Sequence, residues 1–372
     1  MNPFDVRVQG SGVVAWAAAL ALARQGLSVA LAALDKATSA ARADVRAYAL
    51  NVRSVALLQS IKVWDALPED ARTAVHDIRV EGDTPGAALD FSAWQQGVDQ
   101  LAWIVDAAEL ETALHDAIRY APHVQRLDSA SGESATLRVL AEGRDSASRE
   151  LLGVSMPMHH HGQRAIAARL VATLPHAGLA RQWFHCPDVL ALLPFDRPTP
   201  GHSFGLVWSL PEARAHELMA LDEAVFHTAL MDATGGAAGG LSLGSVRADW
   251  PLSSGRADKV CGPGWVLLGD AAHVVHPLAG QGLNLGLADV AVLADVLSTR
   301  EAWRGLGDER LLRRYARQRE LPTRAMLGLT DGLLQLFASP TPWLRELRNR
   351  GLNLVNQLGP VKRALTARAL DP

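Results

Sequence analysis

Gly264-Trp265-Val266-Leu267-Leu268-Gly269-Asp270-Ala271-Ala272-His273 is followed closely by His276-Pro277-Leu278-Ala279-Gly280-Gln281-Gly282-Leu283-Asn284-Leu285-Gly286, and this block decides the fold. The apolar run from Trp265 to Leu268 predicts a buried strand that stops at a Gly-Asp pair. A loop dense in Pro, Gly, Gln and Asn comes next, then an apolar helix from about Leu285 to Leu297. An acid at a strand tip, before a glycine-rich approach to a helix N-terminus, suits a polyol or phosphate chain. The helix end presents unsatisfied N–H groups, and the Asp270 carboxylate accepts from hydroxyls. Gly280, Gly282 and Gly286 let the backbone come close to a flat ring.

The N-terminus carries a matching half. Val6 to Gln9 predicts a first strand, and Gly10-Ser11-Gly12-Val13-Val14-Ala15 a tight turn. An alanine-rich helix then runs to about Gln25, and Ser28 to Leu34 predicts a second strand. This is the dinucleotide-binding order, with Gly10, Gly12 and Ala15 at the turn and a helix N-terminus for a pyrophosphate. GxGxxA alone is common; its placement at residue 10 and its pairing with the Asp270 block give it meaning.

A chain of 372 residues, 49% hydrophobic and 20% charged, suits a soluble globular protein of two domains or one large discontinuous one. A formal charge of -3 gives no electrostatic case for nucleic acid. Cys186 and Cys261 form no metal or redox spacing, so a reducing cytoplasm is expected. The start of the chain does not read as a signal peptide, and no apolar run is long enough to span a bilayer. His159-His160-His161 invites a metal reading, but consecutive histidines on a strand cannot all turn to one centre, so no metal is expected.

Further stretches complete a pattern. They include Arg46-Ala47-Tyr48-Ala49-Leu50-Asn51, Ile104-Val105-Asp106, and Glu142-Gly143 within Leu140 to Arg149. Tyr315, Arg319 and Asp331 follow in the helical tail. With the two glycine-rich blocks, the chain resembles the aromatic-ring flavin monooxygenases of para-hydroxybenzoate hydroxylase-like fold, and among them the ubiquinone-biosynthesis hydroxylases. The resemblance covers nearly the whole chain. It implies an α/β protein: a Rossmann-like FAD-binding domain, an inserted β-sheet substrate domain and a C-terminal helical tail. The implied boundaries are 1–75, 101–155 and 250–330 for the first, 76–100 and 156–249 for the second, and 331–372 for the tail.

The same resemblance implies FAD as cofactor, NAD(P)H as reductant, and hydroxylation of a phenol ring through a flavin C4a-hydroperoxide formed with O₂. It assigns the ribityl chain to Asp270 and the pyrophosphate region to Arg46. Glu142 and Gly143 fall near flavin and pyridine nucleotide. The loop and helix start, with Gly280, Gln281, Gly282, Leu283 and Asn284, fall near the pyrimidine end of the ring. Pro277 and Gly280 would flank the reactive edge, and His276 is the nearest candidate acid or base, set against a purely structural loop histidine. The implied substrate is a polyprenylated phenol of ubiquinone synthesis.

Departures from the pattern gather at the adenosine end. Ala33 stands where an acid for the ribose is usual, with Asp35 two residues on. Trp16 is bulky beside the turn, Ala107-Ala108 replaces a polar pair, Glu142 replaces an aspartate, and the 122–140 segment is short. Weak FAD is therefore expected, and the alternative is an impaired family member kept as a scaffold for prenylated intermediates. In the tail, Trp343, Leu344 and Leu347 lie among Arg345, Arg348 and Arg350. That mix either lies on an anionic inner membrane face or packs as a helix pair on the flavin domain. Other quinone-biosynthesis proteins are possible partners.

Overall fold

Strand Phe4–Gln9 lies between two parallel neighbours, Val29–Ala32 and Ala135–Leu140. This computed structural model describes residues 3–32, 44–84, 86–127, 134–276 and 280–338, without the side chains of 333–338. Ala33, Asp35, Pro277 and the Trp343 to Arg350 stretch lie outside the described residues.

Six strands form the first sheet, in the order Cys261–Gly262, Trp265–Leu267, Ala135–Leu140, Phe4–Gln9, Val29–Ala32 and Val124–Leu127. All neighbours are parallel except the first pair. The short 122–140 segment therefore still supplies two strands of this sheet. Helix Val13–Ala23 follows the turn and buries nine of its eleven residues, as its all-round apolar sequence requires. It packs against helices Ala107–Arg119 and Gly282–Ser298. Two glycines allow close approaches around it. A Cβ on Gly10, whose φ is +141°, would sit 2.2 Å from the Ala141 carbonyl oxygen, and one on Gly286 would sit 2.7 Å from Val14.

A nine-stranded sheet is built from 77–92, 158–256 and 273–274. Its central strand, Met158–Ala172, pairs antiparallel with Ser203–Pro211 on one side and Ala248–Arg256 on the other. Trp250-Pro251-Leu252 thus remains in this sheet: the strand crosses the expected boundary at 250 because its ladder runs on to the Gly255–Met158 pair. Period-2 alternation sorts the faces. Ile166, Leu192, Leu206 and Trp208 pack with Phe226 and Leu230 of helix Glu223–Thr234. Ala167, Ala191, Val207 and Ser209 face the opposite way, into a cavity.

A three-stranded sheet, Ala47–Leu50, Ala102–Asp106 and Arg72–Val75, lies beside that cavity. Helix Glu309–Ala338 tolerates Pro322 and anchors itself through Tyr315, whose hydroxyl donates to the Leu267 carbonyl at 2.9 Å. Among the described residues no helix is long and apolar enough to cross a membrane.

Candidate active site

One continuous cavity of about 850 Å³ runs from the first turn to the inner face of the large sheet. At one end it is lined by Ser11, Gly12, Val13 and Val14. Gly12 is the N-cap of the first helix and supplies no side-chain cap, and the first intrahelical bond is Trp16 N–H to the Gly12 carbonyl. The opening turn therefore keeps N–H donors for an anion. Gly10 and Ala15 lie behind this wall, where a Gly10 Cβ would come within 3.1 Å of Ala15.

Asp270 faces the cavity just past the Trp265–Leu267 strand, with its side chain exposed there. Desolvation pushes its carboxyl above the usual range, Asp289 adds to that, and His273, Arg144 and Arg46 oppose it. The turn that carries it is pinned from behind. Asp289 accepts from Gly269 N–H at 2.9 Å, from His273 Nε2 at 2.7 Å and from Arg319 Nε at 2.6 Å. Burial alone would raise the Asp289 carboxyl, but His273, Arg319 and the Gly269 N–H outweigh it and hold it low. His273 thus serves Asp289.

Gly280, Gly282 and Leu283 line the cavity; Gln281 and Asn284 stand behind them. Asn284 is buried and uses both ends of its amide. Its oxygen accepts from Asn51 N–H at 3.0 Å and Ser54 Oγ at 2.7 Å, and its nitrogen donates to the Ala49 carbonyl at 2.7 Å. A further bond to the Gln281 side chain measures 3.2 Å. Asn284 therefore acts as a staple between this helix and the Ala47–Leu50 strand.

Glu142 and Gly143 also line the cavity. The Glu142 carboxylate is occupied: it accepts from Ser146 Oγ at 2.6 Å, Ser148 Oγ at 2.7 Å and Ser148 N–H at 3.0 Å. Its longer arm closes the start of helix Ala147–Leu151. Arg149 is buried beside it, donating to the Ala271 carbonyl at 3.2 Å.

His276 does not line the cavity. Its ring is fully buried, Nε2 meets Gln163 Oε1 at 3.2 Å, and Nδ1 has no partner among the described residues. Desolvation, then the nearby His161, lowers its pKa to about 4. A neutral, walled-off imidazole cannot meet a ligand in the cavity, so the geometry favours the structural role. His159 and His161 project from the same side of their strand and stack edge to face at 4.8 Å, and His161 stacks on His276 at 5.0 Å. No group of histidines, cysteines and acids among the described residues could hold a metal.

Trp16, Ala107 and Ala108 are likewise absent from the cavity wall. Trp16 packs edge to face against His115. The Ala107-Ala108 pair sits in the first turn of a helix capped by Asp106, which accepts from Ala108 N–H at 2.9 Å.

Arg46, Tyr48 and Glu111 line the cavity together. Arg46 pairs with Asp44 at 2.6 Å and with Glu111 at 3.3 Å. Burial alone would raise Asp44, but its bonds to Arg46 prevail and hold it low. Tyr48 is pushed up to about 12, chiefly by desolvation, so it stays a hydrogen-bond donor at neutral pH. Tyr48, Glu111 and Asp289 were not singled out as site residues from sequence. The alternation of Arg46 to Leu50, and Glu111 one turn inside the helix that Asp106 opens, are the signals that could have found the first two. Beyond the Ala47–Leu50 strand the walls turn apolar, with Val75, Ile78, Ile104 and Val207; Arg181, Gln182 and Ser209 provide polar groups there.

Residues 4–330 match the FAD binding domain family. The chain belongs to that family. It is 31% identical over 390 residues to a ubiquinone hydroxylase, UbiL, of Rhodospirillum rubrum, across 98% of this chain and 89% of that protein. It is 29% identical over 398 residues to the 3-demethoxyubiquinol 3-hydroxylase of Escherichia coli, across 99% of both. The fold is similar to that of Pseudomonas aeruginosa PqsL, solved with 2-aminobenzoylacetate. The TM-score is 0.77 and the identity 21%, over 94% of this chain and 99% of that one. The residues present fit the family's cofactor: an open helix N-terminus for phosphates, an acid facing the cavity for hydroxyls, and a glycine-bearing wall at Gly280 and Gly282 for a flat ring.

Proposed function

We propose that this chain is an FAD-dependent monooxygenase that hydroxylates the aromatic ring of a quinone precursor in ubiquinone biosynthesis, with NAD(P)H and O₂. The observation that carries this reading is continuity: one cavity joins the dinucleotide turn to an apolar sheet face. FAD, when bound, supplies the redox chemistry that takes electrons from NAD(P)H and delivers an oxygen atom from O₂ to the ring. The chain's own residues bind and orient. The N-terminus of Val13–Ala23 and the Arg46 guanidinium offer positive charge to phosphates, with Gly10 and Ala15 closely packed behind the turn and Gly12 facing the cavity without a side chain. Asp270 accepts from polyol hydroxyls. The start of Gly282–Ser298, held by Asn284 and Gln281 and opened by Gly280 and Leu283, offers a partial positive charge to a ring that gains electrons. Glu142 and Gly143 shape the loop between the two ends.

Ala167, Ala191 and Val207 present a flat apolar face that admits an aromatic ring and excludes water. A prenylated ring is the finer part of this proposal, supported by Val75, Ile78, Ala102 and Ile104 around the same space. Peripheral contact with an anionic membrane is also proposed, on the sequence from Trp343 to Arg350. A flavin held weakly follows from the acids gathered at Arg46 and from the occupied Glu142 carboxylate. The same features favour the second reading, a scaffold subunit that binds the precursor without turning it over.

The visible spectrum of the purified protein, with and without added FAD, separates the two. Flavin bands bleached by NAD(P)H, with ¹⁸O from ¹⁸O₂ in a product heavier by one oxygen atom, are the expected result. A protein that takes up no FAD and leaves a prenylated phenol unchanged sinks the enzyme and leaves the scaffold.

A further inference from the structure

We infer that Glu111 sets the strength of flavin dinucleotide binding by competing with the ligand's phosphates for Arg46. The inference rests on reading the cavity as a dinucleotide site, and it deepens that reading by naming the residue that limits affinity.

Arg46 is a cation with little freedom. Its carbonyl is held by Arg169 Nη2 at 2.6 Å, so the backbone cannot follow a ligand. Its guanidinium forms a fork on Asp44, with Nε 2.9 Å from Oδ1 and Nη2 2.6 Å from Oδ2. The same Nη2 reaches Glu111 Oε1 at 3.3 Å, and the Tyr48 ring lies below the guanidinium at 5.6 Å. Two carboxylates thus meet one cation, and a third, Asp270, lies within electrostatic reach of it.

Asp44 and Glu111 differ in consequence. Asp44 is a local partner two residues away; it is absent from the cavity wall and also accepts the Arg46 backbone N–H at 3.0 Å. Glu111 comes from another element, the Ala107–Arg119 helix, and does line the cavity. A phosphate approaching Arg46 therefore meets the Glu111 charge directly. Arginine binds a phosphate best through a bidentate fork. Here that fork already lies on a carboxylate, and Glu111 adds repulsion without adding a second fork. The pair is about one-third to one-half exposed, so it adds little to folding while its charge stays close to an incoming ligand.

The test compares wild type with E111Q, which keeps the shape and hydrogen-bonding reach, and with E111A. Binding of FAD and of riboflavin, which lacks phosphate, is followed by flavin fluorescence at low and high salt. E111Q and E111A should bind FAD roughly three- to tenfold more tightly, as loss of one partly screened like charge predicts. Riboflavin affinity should not move. The FAD affinity of E111Q should also fall more steeply with salt than that of wild type, since attraction then stands unopposed. Equal FAD affinities in the three proteins, or equal tightening of FAD and riboflavin, overturns the inference and leaves the dinucleotide reading intact. Failure of all three proteins to bind FAD overturns both.

Discussion

Replacing Asp289 with asparagine removes the carboxylate on which the Gly269 N–H, His273 and Arg319 converge. The Asp289 side chain is fully buried and that of Arg319 is 6% exposed, so the variant strands a cation in the interior. Breaking a buried pair from one side costs about 3–5 kcal/mol, because the remaining charge keeps its desolvation penalty without its counter-charge. The asparagine nitrogen would also face at least one donor among Gly269 N–H, His273 and Arg319, costing roughly another 1–3 kcal/mol. The two costs overlap, since both count donors left without an acceptor, so about 4 kcal/mol is expected. Urea unfolding at pH 7 measures it, with the m-value checked so that a changed unfolded state is not mistaken for lost stability. The double variant D289N/R319M removes the stranded cation and should recover about half of the loss. FAD affinity should fall with D289N, since the Gly269 bond fixes the turn that presents Asp270. A loss under about 1 kcal/mol, or no recovery in the double variant, would falsify the argument.

Three other outcomes are expected. The pKa of His276 is near 4, against about 6.5 in an unfolded chain, so the unfolded state takes up the proton first as pH falls. Stability is then intact above pH 6.5 and drops by up to about 3 kcal/mol toward pH 4; H276N should lack that component in urea titrations across this window. G10A places a methyl 2.2 Å from the Ala141 carbonyl oxygen at a φ that alanine rarely adopts, and should cost at least roughly 2 kcal/mol while weakening FAD binding. A191W fills the apolar face and should raise the KM for the ring substrate roughly tenfold or more, with FAD affinity unchanged; equal effects on both would place Ala191 elsewhere.

The turn at Gly10 and the strand into Asp270 were legible because each imposes a local constraint that few residue types satisfy. A Cβ has no room at Gly10, and the apolar Trp265 to Leu268 run has to stop where Asp270 meets the cavity. Roles that depend on tertiary direction were not legible. Nothing local to Asn284 says that its amide turns from the cavity to three partners on 49–54, or that His276 faces Gln163. The Ala107-Ala108 pair looked like a loss at the cofactor, yet both residues stand off the cavity wall while Glu111, one turn further, reaches it. On a helix the side chain four positions on shares a face, so a substitution pattern read residue by residue misplaces the contact by a turn.

The strand Ala47–Leu50 explains how one cavity can be charged at one end and apolar at the other. Tyr48 packs on the core around the first helix, while Ala47 and Ala49 pack on Val75, Ile104, Ala180 and Phe195. Its register against Ala102–Asp106 repeats the division, with Tyr48 opposite Val105 and Ala49 opposite Ile104. Side chains that alternate along a single strand therefore send a phenol and its neighbouring guanidinium toward the charged end, and methyl groups toward the apolar end. Asn284 grips the Ala49 carbonyl from the facing helix, so the glycine-bearing loop and this strand keep a fixed spacing. A one-residue slip of the strand would move Tyr48 into the apolar space and the alanines onto the charged side. The Asn284 bonds and the Arg169 bond to the Arg46 carbonyl hold that register from opposite ends of the strand. The boundary between the charged and apolar ends of the cavity is thus set by the register of this strand, which those side-chain bonds hold.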